Sequence, residues 1–356
     1  MDIVCQHPIP TELFLSKRRS AAGTRATSGL LLAKLTFEVA ADGSVSLCED
    51  APLPLLDNDV ETPLGLMARD CVPNGNQPGV EVHLLAQAHV AGGATEASVE
   101  AAIGDHRVMA SVTGHREWIR TERGFAVSPP RPFFTMPLSW QYAFGGATEV
   151  WLDSATVYEI HHPQNRYGRG FDPAPQALAA ARTIGAAAGY PRYETGRELP
   201  NVEHAGERVQ TATDAPRPFA LTPMPLDLGL RALDALAMVG TDTHDAIEAA
   251  ERLARSAPQK RALRFAPREL QLPTLPSGTP VSLKGMNSSG EMRFRIPPTR
   301  CVADYEFGAR RGSLVLDVRR LLVLPDEGRF AILCGKEFRV GARSERDVSS
   351  MRLRLE

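Results

Sequence analysis

Few residues of this 356-residue sequence could perform acid–base, metal or nucleophilic chemistry, and the candidates are the pair His161-His162, the dipeptide Glu203-His204 and Cys71. Adjacent residues of a strand point to opposite faces, so the two histidines are not expected to bind one metal ion. Glu203 and His204 are adjacent in sequence, and adjacent side chains rarely face each other. They are therefore poor candidates for a catalytic base and the group that orients it. Cys71 has no local signature of a catalytic thiol around it.

Motifs for catalysis or cofactor binding are missing as well. The sequence contains no G-x-S-x-G, no G-x-x-x-x-G-K-[ST] and no H-E-x-x-H pattern. Gly145-Gly146 lies between aromatic residues and lacks the strand-to-helix context of a dinucleotide-binding loop. We therefore expect a protein that is not an enzyme and that binds no cofactor and no metal ion. The alternative is an enzyme whose site is assembled from scattered residues, with His161, His162 and Glu203 as candidates.

The specific feature of the sequence is an ordered series of Pro, Gly and aromatic motifs. In chain order they are Gly114-His115-Arg116-Glu117-Trp118, Pro130-Arg131-Pro132-Phe133, Met136-Pro137-Leu138, Trp140, Ala143-Phe144-Gly145-Gly146, His162-Pro163-Gln164-Asn165, Gly168-Arg169-Gly170-Phe171 and Leu199-Pro200-Asn201-Val202-Glu203. This series resembles a bacterial family, catalogued as a domain of unknown function, whose members act as adaptor chaperones for type VI secretion effectors. The resemblance covers most of residues 25–325. It departs from the family pattern after Asn165, where Arg166-Tyr167 stands in place of a proline.

The resemblance implies a cytoplasmic protein that binds a cognate toxic effector, encoded nearby, and helps to load it onto the secretion spike through VgrG or a PAAR-type tip protein. A structural component that stays on the secreted spike is a further alternative. We expect no membrane partner, because no apolar run is long enough to cross a bilayer. Nucleic acid is not expected either, because the basic C-terminal segment lacks stacked aromatic residues.

Two classes of functional residue are predicted. Effector contact is predicted for Arg131, Arg217, Glu203, Arg293 and Arg295, and Glu203 is also a candidate internal partner of Arg131 or Arg217. The motif residues predicted to build the fold are Trp118, Pro132, Phe133, Met136, Pro137, Trp140, Phe144, Gly145, Gly146, Asn165, Gly168, Gly170, Phe171, Pro200 and Asn201. Their glycines suit tight turns or close backbone approach.

The elements that position these residues are expected to be mostly strands. Alternating apolar residues predict strands at Leu31–Val39, Val80–Val90, Ser98–Ile103, Arg107–Thr113, Met292–Ile296, Leu314–Val318, Leu321–Leu324, Phe330–Leu333 and Met351–Leu355. Asp42-Gly43 predicts a hairpin turn after the first of them. Two similar Pro-rich segments, residues 130–138 and 216–226, are predicted to be extended or edge strands, because proline cannot donate in a ladder.

The fold class predicted is mainly β (α+β), with antiparallel sheets at both ends of the chain. A short helix is expected at Pro175–Ala188, and a helix hairpin between Asp227 and Pro258, where apolar residues recur at helical spacing. The regions expected are an N-terminal β region (1–127), a motif-rich middle (128–226), the helix hairpin (227–258) and a basic C-terminal β region (259–356). Together they are expected to form one composite domain.

Charge is distributed unevenly along the chain. Residues 1–250 hold 19 Lys and Arg against 30 Asp and Glu, whereas residues 251–356 hold 21 against 12. The two segments either neutralise each other within one fold or offer a charged surface to a partner. The five cysteines are odd in number and never form C-x-x-C, which favours buried, reduced thiols in the cytoplasm. Asp2 and the lack of a basic start predict that there is no signal peptide.

Overall fold

A computed structural model describes residues 2–5, 7–19, 25–71, 79–122, 124–151, 157–162, 164–171, 196–211, 214–224, 264–307, 310–340 and 348–356. The helix predicted at residues 175–188 and the helix hairpin predicted over residues 227–258 lie outside the described residues. Within them, helix is confined to 3₁₀ turns at Trp140–Tyr142, Arg268–Leu270 and Pro325–Glu327.

Most of the described residues belong to β-strands. Those of the N-terminal half are Asp2–Cys5 (β1), Thr11–Arg19 (β2), Arg25–Val39 (β3), Val45–Leu47 (β4), Val60–Thr62 (β5), Gly65–Met67 (β6), Val80–Leu84 (β7), Gln87–His89 (β8), Glu96–Ile103 (β9), His106–Thr113 (β10), Trp118–Thr121 (β11), Gly124–Val127 (β12), Thr135–Pro137 (β13), Phe144–Gly145 (β14), Ala147–Trp151 (β15), Val157–His161 (β16) and Arg169–Gly170 (β17). Those that follow are Val202–His204 (β18), Gln271–Leu272 (β19), Pro280–Lys284 (β20), Glu291–Arg295 (β21), Cys301–Phe307 (β22), Arg310–Val315 (β23), Asp317–Leu324 (β24), Arg329–Val340 (β25) and Val348–Leu355 (β26).

Three sheets carry the fold. The largest has seven strands, in the order β19-β7-β24-β25-β3-β2 with β4 also paired to β3. A five-stranded sheet has the order β18-β10-β9-β20-β21, and a four-stranded sheet has the order β1-β26-β22-β23. All three combine strands from the first 113 residues with strands from beyond residue 270.

The mainly β prediction with antiparallel sheets is confirmed, but the partners of the strands differ from the expected arrangement. The two ends of the chain share their sheets, and β7 with β24 and β1 with β26 are parallel pairs. A period-2 pattern shows which residues of a strand share a face, but it carries no information on which strand lies beside it. The order of the strands in each sheet therefore does not follow from the sequence pattern.

Apolar side chains join the sheets face to face. Phe330 of β25 stacks on Phe37 of β3 with ring centroids 5.0 Å apart, and on Phe294 of β21 at 4.4 Å. Because Phe294 belongs to the five-stranded sheet, this stack links it to the seven-stranded one. Cys301 and Leu353 of the four-stranded sheet belong to the same buried cluster. One continuous core thus underlies all three sheets.

The opposite face of the seven-stranded sheet is covered by residues 48–71, which we call the strap. Its Leu53 and Met67 pack on one apolar group of the sheet, and its Leu55 and Cys71 pack on another. The alternation in β3 predicted one buried face, yet Leu32, Lys34 and Thr36 on its second face are also buried. The strap is the physical reason, because it shields this face from water.

The strand predicted at Val80–Val90 is divided in two. β7 lies in the seven-stranded sheet, whereas β8 pairs with β13, where Met136 lies opposite Ala88. The first Pro-rich segment is therefore extended as predicted. The second contacts it, because the N–H of Leu221 donates to the carbonyl of Leu138 at 3.0 Å.

No described helix is both long enough and apolar enough to cross a membrane. All five cysteines are free thiols. Cys48, Cys301 and Cys334 are buried as predicted, whereas Cys5 and Cys71 are partly exposed. Burial raises the pKa of Cys301 to about 12, so this thiol stays protonated at neutral pH.

Candidate functional site

Motif residues distant in sequence meet beside β10 and β18. We call residues 113–118, 137–146, 162, 164–171 and 198–203 the motif layer. Main-chain hydrogen bonds run between its segments, from Thr113 N to Asn201 O (2.8 Å), from Asn201 N to Tyr142 O (2.8 Å) and from Gly146 N to Asn165 O (2.7 Å). The segments therefore hold one another in place although they contain little regular structure.

A buried ion pair lies at the centre of the motif layer. Nη2 of Arg116 donates to Oε2 of Glu203 at 2.7 Å, and both side chains are only 1% exposed. Arg116 also donates to the carbonyls of Pro200 and Val209, and Glu203 accepts the N–H of Val209. Burial raises the pKa of Glu203, and the Arg116 guanidinium opposes that rise. Every charge in this pair is used to hold backbone segments together.

Two asparagine side chains of the motif layer bond to the main chain. Nδ2 of Asn165 donates to the carbonyls of Trp140 and Phe144, both at 2.9 Å. Nδ2 of Asn201 donates to the carbonyl of Thr113 at 2.9 Å. Both residues are buried, so an apolar replacement would leave carbonyl groups without a partner.

The predicted glycines permit close backbone crossings. Gly146 has φ +95°, and a Cβ on it would lie 2.3 Å from the carbonyl oxygen of Gly168. Gly145 approaches Asn165 in the same way, and Gly170 approaches Pro200. Side chains at these positions would push the segments of the motif layer apart.

Aromatic residues pack the inside of the motif layer. Trp118 and Phe144 are buried and lie in one apolar cluster with the partly buried Phe171. His162 contacts Phe144 and Phe171 edge-on, with centroids 5.4 and 4.9 Å apart. Burial lowers the pKa of His162 to about 4, so its ring is neutral near pH 7. Nε1 of Trp140 donates to the carbonyl of Thr222 at 2.8 Å.

The remaining predicted structural residues differ in exposure. Phe133 and Met136 are buried in the main core. Pro200 is buried, Pro137 of β13 is partly buried, and Pro132 is exposed. The proline-rich motif thus alternates between residues that enter the core and residues that face solvent.

The predicted effector-contact residues do not form one cluster of contacts. The side chain of Arg131 is 69% exposed and lies 3.8 Å from Glu117. Arg217 is exposed and forms an ion pair with Glu269. Glu203 lies in the interior and pairs with Arg116, which corrects the expectation that its partner is Arg131 or Arg217.

Arg293 and Arg295 lie on the solvent face of β21. Arg293 contacts Glu291 at 2.7 Å, and Arg295 donates to the carbonyl of Gly278 at 2.9 Å. A role for these arginines in effector contact stays a prediction, as it does for Arg131 and Arg217.

One exposed aromatic residue was missed. Phe134 follows Phe133 in the first Pro-rich motif and is 70% exposed. Its ring lies on Gly93 (φ +71°), where a Cβ would meet the ring at 3.2 Å. Adjacent residues of an extended segment point to opposite sides. That rule could have found Phe134, since Phe133 is among the residues predicted to build the fold.

A second buried charged cluster fastens the strap, and it was also missed. Oδ2 of Asp70 accepts Nζ of Lys34 (2.8 Å) and the N–H of Leu56 (2.9 Å), while its Oδ1 accepts Nη1 of Arg320 (3.0 Å). Arg320 also donates to the carbonyls of Ala68 and Arg69. Burial lowers the pKa of Lys34.

The same face of the sheet holds Glu81 and His83. Oε2 of Glu81 accepts the N–H groups of Phe265 (2.8 Å) and Ala266 (2.9 Å) and lies 3.1 Å from Nε2 of His83. Burial opposes ionisation of Glu81, but the hydrogen bond from His83 and the charge of Arg320 outweigh it and lower its pKa to about 2. Burial and Arg320 lower the pKa of His83 to about 4. These groups hold the main chain of residues 265–266, which precede β19.

The residues considered as candidates for catalysis lie in different surroundings. His162 and Glu203 each use their polar atoms within the motif layer, and His161 lies at the end of β16 opposite Ala147. Among the described residues, no group of three or more His, Cys, Asp or Glu side chains could hold a metal ion.

Comparison with known proteins gives one match. No curated protein and no solved structure matches the chain. Residues 24–334 match a family model described as "Uncharacterized protein conserved in bacteria (DUF2169)". This range contains the whole motif layer, both buried charged clusters and Phe134. Because the match covers most of its length, the chain belongs to this bacterial DUF2169 family.

Proposed function

We propose that this protein is an adaptor chaperone that binds a type VI secretion effector in the cytoplasm and promotes its loading onto the VgrG or PAAR-type spike. The class of partner comes from the resemblance of the motif series to such adaptors. The observation on the molecule that supports a binding role is Phe134, a large apolar side chain presented to solvent by that same motif series.

Phe134 has the properties of a contact residue. Large aromatic residues are enriched among those that dominate binding energy at protein interfaces. The outer end of its ring lies near Gly93, where an added Cβ would meet Cζ at 3.2 Å, so part of its side-chain freedom is restricted before a partner covers it. Arg131, three residues earlier, adds an exposed cation beside it in sequence. An apolar anchor flanked by charge suits a protein partner.

The neighbouring segment, residues 90–94, gives this anchor a firm support. Phe133 is buried in the core, and the N–H of Phe133 donates to the carbonyl of Ala94 at 3.1 Å. The N–H of Val90 donates to the carbonyl of Phe134 at 2.8 Å. Both sides of Phe134 are thus tied to the segment that carries Gly93, which keeps the side chain in place before a partner arrives.

The experiment is binding of the purified product of the adjacent open reading frame, measured by biolayer interferometry. Phe134→Ser should weaken affinity about tenfold or more without lowering the melting temperature. Val60→Ser is the matched control, because Val60 is also an exposed apolar residue but belongs to the strap; it should bind like the wild type. Failure of the wild type to bind would contradict the proposed function, and wild-type affinity of Phe134→Ser would remove Phe134 from it.

A further inference from the structure

The edges of the five-stranded sheet are better protected than one edge of the four-stranded sheet. Beyond β21, the Asp42-Gly43 turn approaches so closely that a Cβ on Gly43 would lie 2.7 Å from the carbonyl oxygen of Arg293. Beyond β18, Ala143 forms a bridge with Val202. β23 ends the four-stranded sheet, and within the described part of the chain no segment pairs with its outer side. Proteins usually cover or blunt such an edge.

The register shows which main-chain groups β23 presents. The N–H of Leu316 donates to the carbonyl of Cys301 at 2.9 Å, and Leu314 lies opposite Ala303. Hydrogen-bonded and non-hydrogen-bonded pairs alternate along an antiparallel ladder. Residues 312, 314 and 316 therefore bond towards β22, whereas the N–H and C=O groups of residues 311, 313 and 315 point outwards.

The side chains of the same three residues are accessible. Arg311, Ser313 and Val315 occupy every second position of β23 and lie on the solvent face of the sheet. The Arg311 side chain is 80% exposed, and Val315 is 42% exposed. The strand contains no proline, and no bulge interrupts its pairing with β22. Proline and a bulge, two of the devices that blunt an edge, are therefore absent from β23, and the charge of Arg311 is the one that it carries.

We propose that the outer edge of β23 binds an extended segment of the client effector as an added β-strand. This inference rests on the proposed function. Outward main-chain donors and acceptors are recognised by another main chain in extended conformation. On the solvent face, the segment would place an acidic residue near Arg311 and an apolar residue beside Val315. The exposed ion pair of Arg311 with Glu306 (2.9 Å) is weak enough to rearrange.

A second copy of this chain is a poorer occupant. Antiparallel self-pairing about Ser313 would set Arg311 of one copy opposite Val315 of the other. A guanidinium would then face an apolar side chain at both ends of the pairing, and neither side chain would gain a matched partner. A client segment is free of this symmetry constraint.

The test compares Ser313→Pro with Ser313→Ala. Both variants remove the hydroxyl that donates to Asp304, so they match in that loss. Only proline removes the outward N–H and places a ring at the edge, where the strand itself does not use that N–H. The affinity of Ser313→Pro for the product of the adjacent open reading frame should be lower by about tenfold or more. Ser313→Ala should bind like the wild type.

Hydrogen exchange on the wild-type complex gives a second measurement that needs no variant. The amides of residues 311, 313 and 315 should gain protection on binding, whereas those of residues 312 and 314 are protected already. Equal affinity of both variants, or unchanged exchange at the three outward amides, would overturn the edge proposal and leave the proposed function standing. A dimer that only Ser313→Pro dissociates, detected by light scattering, would replace the client by a second copy. If the wild type does not bind, the proposed function fails and this inference fails with it.

Discussion

The ion pair in the motif layer and the cluster that fastens the strap are both sealed from water, but they differ in what they hold. Arg116 and Glu203 join irregular segments of the motif layer and bond mostly to backbone around them. Asp70 joins the strap to the seven-stranded sheet by balancing two cations, Lys34 and Arg320. The first device organises a surface-forming layer, and the second closes an apolar sheet face.

This difference bears on how each device responds to change. A buried ion pair contributes little net stability compared with a well-packed apolar pair, whereas removal of one partner leaves a buried charge at high cost. Loss of Asp70 removes the ion-pair partner of two buried cations, and loss of Glu203 removes the partner of one. We therefore expect the strap cluster to be the more sensitive of the two.

Asp70→Asn should have the largest effect. Lys34 would keep its buried position without a counter-charge, and Arg320 would keep only the charge of Glu81, to which it forms no ion pair in the folded protein. Removing one partner of a buried pair costs about 3–5 kcal/mol. Urea unfolding should show a fall of at least that size, with faster hydrogen exchange in residues 53–70. A loss below about 1 kcal/mol would show that the cluster does not fasten the strap.

Glu203→Gln should have a smaller effect of the same kind. The amide can still accept one hydrogen bond, but Arg116 would be buried without its carboxylate, so we expect a loss of about 3 kcal/mol. The double variant Arg116→Met/Glu203→Gln should not recover fully, because the carbonyls of Pro200 and Val209 also lose their donor. Urea unfolding of the two variants measures this, and a double variant as stable as the wild type would contradict the backbone-anchoring role.

The two clusters also differ in how far the sequence could predict them. The Pro, Gly and aromatic residues of the motif layer are unusual enough to mark it in the sequence, although Arg116 as the partner of Glu203 depends on the long-range pairing of Thr113 with Asn201. Lys34, Glu81 and His83 sit at alternate positions of their strands, where charged residues normally face solvent. Nothing local distinguishes such a face from one that the strap covers.

The same limit applies to the fold. Alternation was sufficient to locate β3, β9 and β10 as strands, because each buries a regular apolar face in the core, although it did not predict that the second face of β3 is buried. It failed at Leu85-Ala86, where the apolar pattern continues but the chain changes sheet between β7 and β8. The pairing of N-terminal with C-terminal strands depends on contacts of long sequence separation, which period alone does not encode.

A pH series extends the comparison, because each region holds one histidine that is neutral near pH 7, the buried His83 and the partly buried His162. The pKa values of His83 and His162 are about 4 in the folded protein, below the ordinary value of 6.5. As pH falls from 6.5 towards 4, the unfolded chain gains these protons and the folded chain does not, so the free energy of unfolding decreases. Glu81, with its pKa of about 2, adds a further loss as pH falls below 4.5.

His162→Gln isolates the motif layer in that series. It should lower the slope of unfolding free energy against pH by up to one proton, or about 1.4 kcal/mol per pH unit, between pH 6.5 and 4. Phe171→Leu is the matched control, since it disturbs the ring that His162 contacts without removing a titrating group. It should displace the whole curve and keep its slope. An unchanged slope in His162→Gln would show that His162 is not held neutral.

The smallest effect on stability is expected from the exposed arginines of β21. Charge reversal at Arg293 and Arg295 leaves both buried clusters intact, so the melting temperature should hardly change. In the proposed effector complex, affinity is expected to depend chiefly on apolar contact, whereas charge is expected to affect mainly the rate of encounter. Reversal should therefore slow association several-fold and leave dissociation nearly unchanged.

The complex should survive about 0.5 M salt, where the Debye length is only a few Å. Binding kinetics across a salt series measure both quantities, and a collapse of affinity by orders of magnitude would make the basic face itself the principal binding site.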